Sequence, residues 1–207
     1  MRDMTIAVVF DKQSEYFDQR FEAIELQNQI VPSKTFENCT FVRCNFSETD
    51  FNKSKFCDCI FDHCNLSLMK IKSCIFNTVK FRNSKLVGVN WTEVAWPTIK
   101  LACPIHFSES DISHATFFGV NLREAMFVKC RIHDVDFREA DLTRANLQYS
   151  DLLKSLFMHS DLTEADFSYA DHYRIDVNFN KITRAKFMLP EAVALLYSLD
   201  IELIDAG

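Results

Sequence analysis

Eight cysteines and six histidines are the residues of this 207-residue chain that could bind a metal or act in nucleophilic catalysis. Zinc sites typically use closely spaced pairs such as CxxC, and no CxxC pair occurs here. The histidines form no readable Ser/His/Asp or Cys/His pattern. Glycine at 88, 119 and 207 alone cannot build a phosphate-binding loop. The sequence therefore predicts no catalytic centre, metal site, cofactor or small-molecule substrate.

The composition indicates a folded, regular protein. Hydrophobic residues make up 48% and charged residues 25% of the chain, which excludes the disordered classes, and there are 20 Phe but only 3 Gly. The net charge of −6 argues against direct nucleic-acid binding through a basic surface. No apolar run reaches the length of a membrane span and no secretion signal is recognisable. We expect a cytoplasmic protein with reduced thiols.

Large apolar residues recur every five positions. Fourteen successive positions at this spacing are large and apolar, and after one extra residue thirteen more follow at the same spacing. Its members are Phe36, Phe41, Phe46, Phe51, Phe56, Phe61, Leu66, Ile71, Phe76, Phe81, Leu86, Trp91, Trp96 and Leu101, then Phe107, Ile112, Phe117, Leu122, Phe127, Ile132, Phe137, Leu142, Leu147, Leu152, Phe157, Leu162 and Phe167. Small residues dominate the positions two before these, and six of the eight cysteines lie there. These cysteines behave as small hydrophobes.

A period of five fits neither a helix nor a strand, because successive members would face different directions. It fits a chain that bends at every repeat and points both registers inward. About four repeats then close one square turn, and stacked turns bond through backbone ladders. The sequence predicts an all-β solenoid of about seven or more coils. Its interior is filled by its own side chains, so function should lie on the outer surface.

Several repeats resemble the A(D/N)LXX unit of pentapeptide-repeat proteins, for example Ala140–Asp141–Leu142 and Ala165–Asp166–Phe167. This family folds as a right-handed quadrilateral β-helix. The chain also resembles the subgroup of quinolone-resistance (Qnr) proteins and the microcin B17 immunity protein, in its size, its single interruption and its C-terminal cap. That resemblance implies a non-enzymatic, rod-like homodimer that mimics duplex DNA. It would bind DNA gyrase or topoisomerase IV and protect the enzyme from quinolone-like or microcin-like poisons.

We divide the chain into four segments. Residues 1–33 are expected to form an N-terminal cap with an irregular first coil, 34–106 a first repeat block, 107–188 a second repeat block and 189–207 a C-terminal cap. In the cap, Pro190 suits a first helical turn, and a short extended segment follows the helix. The resemblance implies that this helix and strand form the dimer interface through Val193, Leu195, Leu196, Leu199, Ile201 and Leu203. The alternative is a plug that protects the end of the solenoid from aggregation.

Charge differs along the chain. Residues 34–106 carry 6 acidic and 10 basic residues, whereas 107–171 carry 12 acidic and 6 basic residues. Joining two chains at the acidic end would give roughly −12 over about 32 Å, where duplex DNA carries about 19 charges. The candidate partner-binding carboxylates belong to Asp111, Asp136, Asp141, Asp151, Asp161, Asp166 and Asp171. Such residues equally serve as turn residues that bond neighbouring backbone.

The interruption around Trp96, Pro97, Pro104 and His106 exceeds the five-residue frame by one residue, which favours a tight bulge over a long protruding loop. The net positive charge of the first block does not imitate the phosphates of DNA. Two classes of function therefore stay open: a topoisomerase-binding DNA mimic, and a generic β-solenoid scaffold or adaptor with an unrelated protein partner.

Overall fold

The computed structural model describes residues 10, 13–96 and 105–204. The chain winds into four-sided coils, in which each five-residue repeat forms one side. Residues 20 apart therefore pair in parallel on successive coils, as Phe36 does with Phe56 and Phe41 with Phe61. Pairings along one face join residues 20, 40, 60, 80, 106, 126, 146, 166 and 186, which makes nine levels. The predicted all-β solenoid is confirmed.

The strands are short because the chain turns after every repeat. They are β1 (Glu15–Phe17), β2 (Arg20–Glu22), β3 (Thr35–Glu37), β4 (Thr40–Val42), β5 (Lys55–Cys57), β6 (Ile60–Asp62), β7 (Ile75–Asn77), β8 (Val79–Arg82), β9 (Ile105–Ser108) and β10 (Met126–Val128). One sheet has the order β1-β3-β5-β7 and the other β10-β9-β8-β6-β4-β2. Isolated parallel bridges continue these ladders and form the other two faces. Two 3₁₀ helices complete the described elements, at Trp91–Glu93 and Glu191–Ser198.

The corners of the coil use a left-handed backbone conformation at ordinary residues. Asn38 (φ 52°) and Lys53 (φ 62°) are examples, and glycine occupies such a corner only at Gly88 and Gly119 in the described part of the chain. Left-handed geometry costs roughly 1–2 kcal/mol at a residue with a Cβ. Most corner N–H groups offset this cost by donating to the next coil, as Asn38 N–H does to the Cys57 carbonyl at 2.9 Å. Glycine is therefore not required, although the chain turns at every repeat.

The interior contains the two predicted registers. The phenylalanines stack from level to level: the Phe41 and Phe61 ring centroids are 4.6 Å apart with planes 8° from parallel. The small-register cysteines are buried, and each donates its S–H to a carbonyl, as Cys39 Sγ does to Tyr16 O at 3.4 Å. Burial raises the pKa of Cys59 and of Cys130 to about 12. The Cys59 and Cys130 thiols are therefore protonated at neutral pH and serve as packing groups.

The N-terminal end is more regular than the sequence indicates. Residues 1–33 were expected to hold an irregular first coil, whereas Glu15 pairs with Thr35 and Glu25 with Asn45 at the normal 20-residue spacing. Phe10 is buried, and its ring makes edge contacts with Tyr16 and Phe21 at 5.3 and 5.2 Å. Phe10 therefore covers the open end of the core.

The C-terminal cap differs in detail from the prediction. Residues 191–198 form a 3₁₀ helix, and residues 199–204 belong to no strand. The helix packs Ala194 and Leu195 against the last coil. None of the described residues 199–204 pairs with a ladder of the solenoid, so the predicted strand does not form in this segment.

The interruption adds more than the predicted single residue. Ala95 N–H still bonds to Cys74 O across an ordinary coil, whereas Val79 pairs with Ile105 and Phe81 with Phe107, which are 26 residues apart. That coil has six residues more than the usual 20, and the surplus lies between Ala95 and Ile105. Pro97 and Pro104 are outside the described residues. The tight bulge was predicted because a five-residue frame cannot distinguish one extra residue from six.

Candidate protein-interaction surface

The seven candidate aspartates are distributed over all four faces of the solenoid. Asp141 and Asp161 pair on one face beneath Asn121. Asp111, Asp151 and Asp171 share a second face, with Arg131 between the first two. Asp136 lies on a third face and Asp166 on the fourth. The coil therefore brings some carboxylates into columns but gathers them on no single acidic face.

Most of these carboxylates also hold the local turn. In six of the seven, Oδ1 accepts a hydrogen bond from the backbone N–H two residues later. The acceptors are Asp111, Asp136, Asp141, Asp151, Asp161 and Asp166, with N···O distances of 3.0, 3.0, 3.0, 3.3, 3.1 and 3.0 Å. Asn121 and Asn146 make the same bond at equivalent positions. The contact therefore needs an oxygen acceptor but not a negative charge, which is why Asp and Asn alternate here.

The second carboxylate oxygen often meets a basic side chain. Asp141 Oδ2 accepts from Arg123 at 3.1 Å, and Asp136 is held by two nitrogens of Arg138 at 2.8 and 2.9 Å. Lys181 and Lys186 reach Asp161 and Asp166 respectively, each at 3.2 Å. Part of the acidic surface is thus neutralised within the chain.

These contacts lower the pKa of several carboxyls. For Asp136 the main cause is the hydrogen bond from Arg138. For Asp141, Asp161 and Asp166, burial alone would raise the pKa, but hydrogen bonds from the turn and from a basic partner outweigh it and leave the pKa lowered. All four groups are therefore ionised at neutral pH.

A series of hydrogen bonds joins the second block to the cap. Asp151 accepts from His133 Nε2 at 2.6 Å and from His172 Nδ1 at 2.8 Å. The backbone N–H of His172 donates to Glu191 Oε1, at the start of the cap helix, with an N···O distance of 2.8 Å. The sequence did not reveal this link, because the three residues are 18 and 21 positions apart. The signal was the coil length itself, since such spacings place side chains on adjacent levels.

The described residues beside the interruption are half-buried. Trp96 Nε1 donates to Trp91 O at 2.9 Å. His106 lies on β9, where burial and the neighbouring Lys80 lower its pKa, so its imidazole is neutral at neutral pH. Trp96 and His106 therefore lie on either side of the segment that lengthens this coil, and His106 pairs with Lys80 of β8.

The cap presents a group of exposed apolar side chains. Of the six predicted interface residues, Leu195 packs on the chain's own core and Val193 is half-buried. Leu196, Leu199, Ile201 and Leu203 are exposed. Exposed neighbours extend this group, which also contains Tyr197, Met188, Leu189 and Ile204. A cluster of large apolar residues of this kind is typical of an interaction site.

The first block has a contrasting surface. Lys53, Lys55, Lys70 and Lys72 are exposed, and none forms an ion pair with a residue that the structure describes. Ion pairs in this block include Arg43 with Glu22 and His63 with Asp62. The basic charge at these lysines is therefore open to a partner.

Two further findings concern chemistry and membranes. No group of three or more His, Cys, Asp or Glu residues in the described chain is arranged to hold a metal ion. No helix among the described residues is long and apolar enough to span a membrane. The candidate sites described above are the outer faces, the lysine surface and the cap.

A four-sided parallel β-solenoid with five-residue repeats and turn-forming Asp or Asn residues defines a class of repeat proteins. A family model described as "Pentapeptide repeat region" matches residues 34–104 and 89–167. The chain belongs to the pentapeptide-repeat family. A search of curated protein sequences finds no significant match.

Solved structures share the fold at low identity. Two trypsin-treated variants of QnrB1, a plasmid-mediated fluoroquinolone resistance protein, are 15% and 16% identical, with TM-scores of 0.65 and 0.61. The alignments cover 92% of this chain in each case, and 97% and 99% of the other chains. HetL, involved in heterocyst differentiation regulation in the cyanobacterium Nostoc sp. strain PCC 7120, is 17% identical with a TM-score of 0.57, covering 84% of this chain and 87% of that one. These similarities establish the fold.

Proposed function

We propose that this protein binds a type II DNA topoisomerase, DNA gyrase or topoisomerase IV, as a partial mimic of duplex DNA, and protects it from quinolone-like or microcin-like poisons. This would be a non-enzymatic, cytoplasmic role. The observation that carries the proposal is the net charge of −6 over residues 107–171, where carboxylates such as those of Asp141 and Asp161 lie on successive coils. The fold shared with QnrB1, a fluoroquinolone resistance protein, supports it.

The summed charge matters more than any single carboxylate. Residues 107–171 carry 12 acidic and 6 basic residues, so the net charge is −6. The paired cations do not remove this excess, because exposed ion pairs are weak and a partner can displace them. Lys181 and Lys186 are 76% and 68% exposed, so they can move aside when a basic surface approaches. A DNA-binding channel would meet a net negative field.

Dimerisation through the cap would extend that field. The exposed Leu196, Leu199, Ile201 and Leu203 lie next to the acidic block, and burying them against a second copy would place two such blocks end to end. Replacing Ile201 and Leu203 with Asp should convert a dimer to a monomer in light scattering after size exclusion. A protein that is already monomeric at micromolar concentration would contradict the dimer proposal and favour a plug.

The decisive experiment is a gyrase supercoiling assay with a fluoroquinolone. We expect the protein to restore supercoiling, and the variant Asp141→Asn/Asp161→Asn/Asp166→Asn to need roughly tenfold more protein for equal protection. Asn keeps the turn hydrogen bond and removes only the charge. The matched control is Asp18→Asn/Asp50→Asn/Asp58→Asn, which changes the net charge equally outside the second block and should protect like the parent. Topoisomerase IV is tested in parallel.

The lysine surface favours a second candidate, a scaffold or adaptor for an unrelated protein. The four lysines of this surface form no ion pair within the described chain, and their positive charge does not imitate the negative phosphates of DNA. They are Lys53, Lys55, Lys70 and Lys72. Absence of protection at micromolar protein, with the fold intact, would exclude the topoisomerase proposal and support this one. A pull-down lost on charge reversal of these lysines would then identify the partner.

A further inference from the structure

The backbone ladder has a break near the C-terminal end. One coil earlier the ladder is complete: Phe137 N–H donates to Leu156 O at 2.9 Å, and Asp136 N–H to Ala115 O at 3.1 Å. At the next level, no residue that the structure describes accepts from Phe157 N–H or donates to Ser155 O. One donor and one acceptor, placed as in a strand edge, are left open.

An irregular turn causes the break. Tyr173 and Ile175 occupy the core at 1% and 2% exposure, while His172 is exposed. This shift displaces Asp176 from the position where it would pair with Leu156. The ladder resumes further on, where His159 N–H bonds to Phe179 O at 3.0 Å and Asp161 pairs with Lys181.

The displaced turn leaves a cleft of about 550 Å³ beside the open edge. Its walls include the exposed apolar side chains Leu153, Leu156, Met158 and Phe179. A volume of this size is typical of ligand sites, which are mostly apolar with a few convergent polar groups. The open edge adds one backbone donor, Phe157 N–H, and one backbone acceptor, Ser155 O, which are the groups that bond an extended peptide backbone.

The charged residues of the cleft are mainly basic, although it lies in the acidic part of the chain. Lys154 and Arg174 form no ion pair with a described residue. Two other basic groups have partners, since Arg138 is bound to Asp136 and His172 to Asp151. Asp176 also lines the cleft, and its Oδ1 accepts from Asn178 N–H at 2.8 Å. Lys154 and Arg174 therefore favour an anionic partner.

We infer that this cleft binds an extended peptide segment of a partner protein in which acidic residues alternate with apolar ones. One residue of the peptide donates its N–H to Ser155 O and accepts from Phe157 N–H, as in strand addition to a sheet edge. Its apolar side chains contact Leu156 and Met158. Its carboxylates meet Lys154 and Arg174. This binding does not depend on the proposed topoisomerase function.

The first test uses a fluorescein-labelled peptide, Asp-Leu-Asp-Val-Asp-Leu, in fluorescence anisotropy with the full-length protein. We expect saturable binding with a Kd in the micromolar range, weakened by salt. The same peptide with Lys in place of every Asp should not bind. No binding of the acidic peptide at about 100 μM protein would overturn the inference.

Variants separate the charge contribution from the backbone contribution. Lys154→Glu/Arg174→Glu should raise the Kd about tenfold, since two exposed charge contacts become repulsive. Arg82→Glu/Lys85→Glu makes the same charge change at exposed residues that do not line the cleft and should bind like the parent. Lys154→Gln/Arg174→Gln gives a milder version, and circular dichroism checks that each variant folds. Equal weakening by the two Glu variants would show a non-specific charge effect and refute the site.

Methylation of the peptide backbone tests strand addition directly. N-methylating the central residues, one at a time, should weaken binding about tenfold at the residue whose N–H bonds Ser155 O. Retained affinity at every methylated position would mean that the cleft takes any amphipathic anion, and the strand-addition inference would be wrong.

Discussion

The two repeat blocks build the same coil from different residues. In the first block, successive sides from Phe36 to Phe61 are all aromatic, and cysteines fill many small positions. In the second, Phe alternates with Leu or Ile over residues 107–142, and Ala or Ser fill most of the small positions. Both blocks keep the 20-residue pairing, as Phe41 does with Phe61 and Asp141 with Asp161. The coil therefore depends on one large and one small inward residue per repeat, not on their identity.

The outer surfaces differ more than the cores. The first block presents unpaired lysines, whereas the second presents carboxylates that hold turns and bind basic neighbours such as Arg123 and Lys181. Because outward residues leave the core unchanged, surface charge can diverge between blocks while the rod stays continuous. Function can thus differ along one uninterrupted core.

The largest effect should come from the aromatic core of the first block. Phe61 lies between Phe41 and Phe81, with ring-centroid distances of 4.6 and 5.2 Å. Phe61→Ala should destabilise the protein by about 4 kcal/mol, and Leu147→Ala in the second block by about 3 kcal/mol. The difference reflects the lost ring contacts, worth about 1 kcal/mol. Urea denaturation of both variants measures it, and equal losses would show that stacking adds nothing beyond burial.

A smaller effect should separate turn bonding from charge. Asp141 Oδ1 accepts from Thr143 N–H at 3.0 Å and from its Oγ1 at 2.6 Å. Asp141→Ala removes both bonds and should cost about 1–2 kcal/mol, whereas Asp141→Asn should cost only a few tenths. In the first block, Asn65→Ala removes the bond from Ser67 N–H and should cost about 1 kcal/mol. If Asn at 141 is as harmful as Ala, the charge itself stabilises the second block.

The smallest expected difference between the two blocks is in their stability at acidic pH. The pKa values of Asp136, Asp141, Asp161 and Asp166 are lowered in the folded chain. Their stabilisation is present above the unfolded value of about 3.9 and is lost as pH falls through the lower folded values. Hydrogen exchange below pH 4, corrected for intrinsic rates, should show greater loss of protection over residues 126–171 than over 35–82. Parallel loss in both blocks would contradict this.

The fold was predictable because its constraint is local and repeated. Large residues such as Phe36 and Phe56 must face inward at each turn, so period and coil length follow from the sequence. The contacts of Asp151 with His133 and His172 were not predictable in the same way, since they depend on side-chain reach between levels. The coil at the interruption is longer by six residues, and the sequence revealed only one of them. The other five equal one repeat, so they do not shift the five-residue spacing.

The cap shows a different limit. The apolar spacing around Leu195 and Leu199 indicates a helix but does not separate an α-helix from the observed 3₁₀ helix over 191–198. The choice depends on how the segment meets the last coil through Ala194 and Leu195. A tertiary contact at a chain end decides such details, and no repeat supplies a template for it.

The 26-residue coil has a practical consequence. Phe81 and Phe107 stack at 5.1 Å across the interruption, with planes 13° from parallel, just as rings do across ordinary coils. The core on that side is therefore insensitive to how much chain intervenes between Ala95 and Ile105. An affinity tag or a foreign epitope can be grafted there while the rod acts as a rigid display handle. For the same reason, we expect insertions or deletions between Ala95 and Ile105 to leave the stacking of Phe81 on Phe107 unchanged.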